Sequence, residues 1–262
     1  MTLALPPAIA ILVDDLRSPD PSVRDTGAFT ALAGLAEEGA LDENLVELGD
    51  LAVSRLADPD VQTRSFGALL LALVVDRDNR TGRADDDAVR RWVAPASTWY
   101  VDESDTRGWD ATLGWLHAVA HGADALGELA ASPRLGRDEL AGLLNVLLRR
   151  AVASTDQPWL QNEDDRVALA VMGVLRRDVL GPDEVCGALD VLAGGWRDAE
   201  PGPVTTTADN ALRLTRTLYV QLSLGVRAEP GAEVVHPVVR ADALHALGNA
   251  LAGVHWFYGR PV

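Results

Sequence analysis

The sequence predicts an all-α chain: a HEAT-like α-solenoid of about eleven or twelve helices, read as one domain over 1–262 with a loop at about 197–207. Three observations predict it. Ala, Leu, Arg and Glu recur at helical spacing almost throughout, while Val, Ile, Thr and aromatic residues never alternate with polar ones over a convincing run. Prolines and glycines punctuate the chain at helix-length intervals. Finally, Arg24-x-x-Gly27-Ala28 returns as Arg64-x-x-Gly67-Ala68, forty positions on, each copy following an Asp-Pro helix start. Forty residues is the length of a HEAT-like helix pair.

The elements follow in order. Ala8 to Leu16 forms a helix that Ser18-Pro19-Asp20-Pro21 breaks. Pro21 to Glu38 is the second, with proline in its first turn, Gly39 as its stop, and Val23, Gly27, Ala28, Ala31, Leu32 and Leu35 facing inward. Asp42 caps a third through Leu56. Asp58-Pro59 opens a fourth with Val61, Ser65, Ala68, Ala72 and Val75 in register. Asp85 to Trp99 is the fifth, ended near Pro95. Ser104 to Ala130 reads as one long central helix stopped by Ser132-Pro133. Arg137 to Val152, Glu163 to Asp178 and Pro182 to Trp196 come next. Ala199 to Thr207, with two prolines, a glycine and no periodicity, is the loop. Asp209 to Val226 and Val238 to Trp256 complete the array, with the aromatic tail His255 to Tyr258 capping the last core layer. Arg24 and Arg64, near their helix starts, are expected to bond acidic groups or carbonyls of the preceding turn. Weaker echoes are Arg107-x-x-Asp110-Ala111 and Arg166-x-x-Leu169-Ala170.

Composition excludes several classes. Hydrophobic residues make up 48%, which argues against wholesale disorder. A net charge of -16 argues against a reader of nucleic-acid backbones, which needs clustered Lys and Arg. Cys186, the single cysteine, can form neither an internal disulfide nor a thiolate zinc cluster and reads as a small residue on a buried helical face. The first residues lack a basic leader region, and no segment offers ~20 uncharged apolar residues, so the expectation is a cytoplasmic protein with no membrane partner.

The chemistry-bearing residues gather in the central helix, where Asp110, Gly114, His117, His121 and Asp124 would share one face. His117 and His121 have the spacing a metal-binding helix uses, although Ala118 stands where the metalloprotease signature needs Glu. Imidazole and carboxylate suit a divalent metal such as zinc or ferrous iron. Its ligands would be His117, His121 and Asp78, because Asp78 lies fourteen positions past Arg64 as His121 does past Arg107; Asp76 is the backup. Three readings stay open: structural bridging, a metal site, or a metal-free pocket in which a His-Asp pair moves protons. In the last, His117 is the acid/base or ligand contact, His121 its partner, Asp124 the orienting carboxylate and Arg107 an anion clamp. Asn162-Glu163-Asp164-Asp165-Arg166 reads either as acidic capping of a helix start or as Glu163 and Arg166 facing the groove of Arg107. Tryptophans crowd this region, filling gaps or walling a ligand; Trp99-Tyr100 and Trp159, at loop borders, are expected to be partly exposed. Serine-hydrolase, P-loop and dinucleotide fingerprints are absent from the sequence.

Arg107-Gly108-Trp109, Gly114-Trp115-x-His117-Ala118-x-Ala120-His121-Gly122-Ala123-Asp124, with Arg64-Ser65-Phe66 upstream and Glu163-Asp164-x-Arg166 downstream, resembles a bacterial domain family of unknown function of helical-repeat type. The resemblance covers most of the first 180 residues. It implies that Arg107, His117, His121, Asp124, Glu163, Asp164 and Arg166 belong to the family's signature, and it brings no activity with it. The expected function is a small-molecule-binding protein or enzyme with a concave-face pocket centred on His117, His121 and Asp124. The alternative is a non-catalytic scaffold whose acidic groove takes a basic peptide or protein.

Overall fold

The computed structural model describes residues 5–197, 202–227 and 230–254. The chain is mostly helical and gathers into two compact units, Met1–Leu135 and Gly136–Val262.

In the first unit, α1 (Pro7–Asp15) begins with proline at its first position. After the Ser18–Pro21 break, the Asp20 carboxylate accepts from the Ser22 N–H at 2.8 Å and opens a π-helical segment, Ser22–Phe29. This wider coil replaces the first half of the expected α-helix. The Thr30 hydroxyl donates to the Asp25 carbonyl five residues back, a reach that matches the π turn. The segment runs into α2 (Thr30–Glu37), which Gly39 ends at φ +80°. A 3-10 turn at Asp42–Asn44 leads to α3 (Leu45–Arg55), followed by α4 (Val61–Thr81) and α5 (Asp86–Asp102). Pro95 lies inside α5 rather than ending it. The lost amide bond is outweighed by burial of Trp92, Ala96, Trp99 and Tyr100 along that helix. α4 is buried over most of its surface and packs against α3 and against the last helix of the unit, α6 (Ala118–Ala131).

The forty-residue recurrence has a bond behind it. Arg24 Nη1 donates to the Ser18 carbonyl at 3.0 Å and Arg64 Nη1 to the Asp58 carbonyl at 2.9 Å, each six residues back. Each guanidinium also grips a carboxylate, Asp25 or Glu103.

The expected central helix over 104–130 does not form. Residues 104–117 leave the helical path, and β1 (Trp109–Asp110) pairs antiparallel with β2 (Gly114–Trp115), so Trp109 faces Trp115.

The second unit holds α7 (Arg137–Val152), α8 (Glu163–Leu175), α9 (Pro182–Ala193), α10 (Thr206–Leu224) and α11 (Arg240–Val254). Leu140, Leu143, Leu144 and Leu147 bury the inner face of α7. α10 starts earlier than its periodicity suggests because the Thr205 side chain accepts from the Ala208 N–H at 3.2 Å. Part of the expected 199–207 loop, and the His255–Tyr258 tail, lie outside the described residues. Cys186 is only partly buried, on the wall of a cleft of about 420 Å³ between α9 and α11. Among the described residues no helix is long and apolar enough to cross a membrane.

Candidate functional site

Local chemistry explains why residues 105–117 abandon the helix that their spacing suggests. The Asp110 carboxylate accepts from the Thr112 and Leu113 N–H groups at 2.8 and 3.0 Å, giving the backbone a turn in place of a helical ladder. Gly114 sits at φ +71°, and a Cβ there would come within 2.9 Å of Pro21 Cβ. His117 also adopts a left-handed backbone, φ 49°, and is the N-cap residue of α6. Glycine takes that region freely; histidine does so at a cost. The Leu116 and His117 N–H groups both donate to the Gly108 carbonyl, closing the loop.

A second set of bonds fixes the loop from outside. Arg24, fully buried on the π-helical segment, donates Nη2 to the Leu113 carbonyl at 2.7 Å and to the Trp115 carbonyl at 3.1 Å. At the loop's start, Glu103 receives two bonds from Arg64, at 2.6 and 2.8 Å, one from Trp99 Nε1 and one from the Asp105 N–H. Burial pulls the Glu103 carboxyl upward, but these donors, Arg64 foremost, hold it below the usual carboxylate range.

Two imidazoles stand behind this loop. His121 is 7% exposed, and its Nδ1 lies 2.8 Å from Ser65 Oγ. Ser65 donates its own proton to the Leu116 carbonyl in a short bond. The hydroxyl therefore accepts from Nδ1–H, which orients the His121 ring. The rings form a continuous series. The Arg24 guanidinium lies 4.6 Å over Phe66, and Phe66 meets His121 edge-on at 5.2 Å. His121 meets His117 edge-on at 5.6 Å, and His117 stacks on Trp115 at 4.4 Å and 30°. Trp115 meets Trp109 at 4.7 Å and 78°. The series starts in the core and ends in solvent, where Trp115 is 39% and Trp109 49% exposed.

The other expected site residues divide. Asp124 lies on α6 one turn past His121, partly buried, while the Nδ1 side of His121 meets Ser65. Asp110 and Gly114 share no helical face with His121, because they belong to the hairpin. Arg107 is engaged within the loop: Nε and Nη2 donate to Asp105 at 2.9 and 2.6 Å, and Nη1 donates to Asp110. Hydrogen bonds from Arg107 hold the Asp105 carboxyl below its usual range.

Asp78 is a correction. It is fully buried, accepting from Arg134 Nη1 at 2.6 Å and from the Ala84 N–H at 2.6 Å. The register that chose it counted from Arg107, which lies outside α6. α4 and α6 run side by side in one direction, and the neighbour of His121 is Ser65. Asp78 is thirteen residues farther along, roughly 20 Å of helix at ~1.5 Å per residue. Asp76, the backup, pairs with Arg80 on the surface. Among the described residues no group of three or more His, Cys, Asp or Glu side chains could hold a metal ion, so His117, His121 and Asp78 do not form the expected shell.

Glu163 and Arg166 belong to the second unit. Glu163 is buried at the start of α8, where its carboxylate accepts from the Gln161 N–H at 2.7 Å and burial pushes its carboxyl upward. Arg166, one turn on, is exposed. The tryptophans also redistribute. Trp99 and Trp159, expected to be partly exposed, are buried, while the hairpin pair is partly exposed. Sequence reasoning passed over Ser65 and Phe66 as parts of a site, although Arg64-Ser65-Phe66 stood within the noted resemblance.

The family model described as "Protein of unknown function (DUF2785)" matches residues 52–220. That span contains Ser65, the hairpin and both histidines. No curated protein and no solved structure matches the chain.

Proposed function

The chain belongs to the DUF2785 family, and we propose that it binds a small molecule on the face of its first unit built by Trp109, Trp115 and His117. One observation carries this reading: two indoles stay about half and two-fifths exposed, 49% and 39%, at the end of a ring series anchored in the core. Fully buried Arg24, Gly114 at positive φ and left-handed His117 all serve to keep them there. A hairpin that merely joined α5 to α6 would have no use for exposed tryptophan, and strained backbone beside open apolar surface marks sites of binding.

Behind the indoles, Ser65 orients His121 and His121 meets His117. A bound molecule that exchanged a proton would do so with His117, whose ring bridges buried and exposed rings. Arg107 serves the loop through Asp105 and Asp110. In the same proposal the helix pairs are HEAT-like units, supported by the matched bonds of Arg24 and Arg64, and the single-cysteine composition suits the cytoplasm.

The test is a fragment screen read from the indole N–H signals of Trp109 and Trp115, assigned by Trp→Phe variants. Compounds that move those two signals, and lose their effect in Trp109→Ala while the melting temperature holds, support the reading. If no compound moves them, and charge reversal of surface carboxylates alters capture of a basic peptide instead, the acidic-scaffold reading replaces it.

A further inference from the structure

The Trp109 and Trp115 rings meet at 78°, so they form a corner and not a slab. A flat ring stacks on one face at a time. A compact charged group set in a corner meets two ring systems at once, and tryptophan is the best of the aromatic side chains at attracting a cation.

The charge around the corner points the same way. Asp105 and Asp110 flank a single Arg107, two carboxylates to one guanidinium, which leaves the loop with an excess negative charge. All three guanidinium nitrogens of Arg107 are turned to those carboxylates. An anion arriving here meets carboxylates and a guanidinium already engaged. A neutral ring gains stacking but nothing from the field. A cation gains both, and the whole chain, at -16, draws it inward.

We propose that the ligand of this corner is an organic cation of the methylated or quaternary ammonium class, held against the Trp109 and Trp115 indoles. The proposal rests on the reading of this face as a small-molecule site, and the experiment separates the two.

The full chain is titrated with choline and with tetramethylammonium, then with 3,3-dimethylbutan-1-ol, the neutral isostere of choline, and with phenol and benzoate. Trp109 and Trp115 indole signals are the readout. Choline and tetramethylammonium are expected to shift both signals saturably, with the neutral isostere weaker by about tenfold or more. Raising salt from about 50 to about 500 mM should weaken choline several-fold and leave phenol unchanged. Trp109→Ala and Trp115→Ala should each abolish the choline response, but the isostere and salt comparisons use the unaltered chain and do not depend on how those variants fold. If the isostere or phenol binds these indoles as tightly as choline, the cation is wrong and the small-molecule site stands. If no compound of any charge moves either signal, both are overturned.

Discussion

Ser65 on α4 and His121 on α6 hold each other at 2.8 Å across two parallel helices, and the same hydroxyl reaches the Leu116 carbonyl at the end of the hairpin. One side chain thus fixes the orientation of a buried imidazole and the exit of the loop that carries the exposed indoles.

Ser65→Ala leaves two buried groups, His121 Nδ1 and the Leu116 carbonyl, without their present partner. A loss of about 1–3 kcal/mol is expected from denaturant unfolding, since each buried polar group keeps its desolvation penalty. The His121 ring signals should shift. An unchanged midpoint together with an unchanged His121 spectrum would show that the bond orients nothing.

Arg24→Met should cost more, about 3–5 kcal/mol. It removes a buried charge from Asp25 and strips the donor from the Ser18, Leu113 and Trp115 carbonyls. The diagnostic result is local: amides of the Trp109–Trp115 hairpin should exchange faster with solvent. Arg24→Lys should not rescue them, because one ammonium cannot span carbonyls on two sides as the planar fork does. Hairpin protection that survives both changes would mean another contact pins the loop.

Glu128 makes stability depend on pH. Burial, then the charge of Asp76, pushes its carboxyl from 4.5 up to about 7, while Asn79 Nδ2 bonds its backbone carbonyl at 2.9 Å. The same Asn79 amide also reaches the Glu128 carboxylate at 3.4 Å and opposes the shift without cancelling it. The folded chain binds this proton more tightly than the unfolded one. Its contribution is therefore complete below about 4.5, shrinks as pH rises toward about 7, and is gone above. Glu128→Gln should raise stability at pH 8 by roughly 1–3 kcal/mol and change little at pH 4. Equal gains at both values would remove Glu128 as the titrating group.

Asp78→Ala takes one of two carboxylates from Arg134, which keeps Asp86 and the Ala84 carbonyl, and strips the buried Ala84 N–H of its acceptor, so a loss of about 1–3 kcal/mol is expected. The loss should be the same with a chelator as with added zinc. A melting temperature of the parent chain that rises with zinc and falls with chelator would restore a metal to these histidines.

Much of the fold was legible in order along the chain. The Ser18–Pro21 break, the Gly39 stop, the helix start at Asp85 and the leucine face of α7 are local events, written in residues a few positions apart. The Arg24 and Arg64 recurrence belongs with them, because each guanidinium reaches a carbonyl only six residues back. The candidate site was half legible. His117, His121 and a crowd of tryptophans drew notice, but their spacing implied one helix where the chain forms a hairpin and then a helix. Periodicity reports which face a segment would bury if it were helical; it cannot report that Asp110 and Gly114 will turn the backbone.

By itself, then, the sequence determined the helical class, its breaks and the neighbourhood of the two imidazoles, since backbone propensity and short-range hydrogen bonds act between near neighbours. Only the tertiary structure decided that Ser65 meets His121 and that Asp78 lies far from it, and that Trp109 and Trp115, not Trp99 and Trp159, face solvent. Those outcomes depend on Arg24 crossing 89 and 91 residues of chain to meet the Leu113 and Trp115 carbonyls, and on the register of α4 against α6. Contacts of that length are set by how helices pack, and no local pattern encodes them.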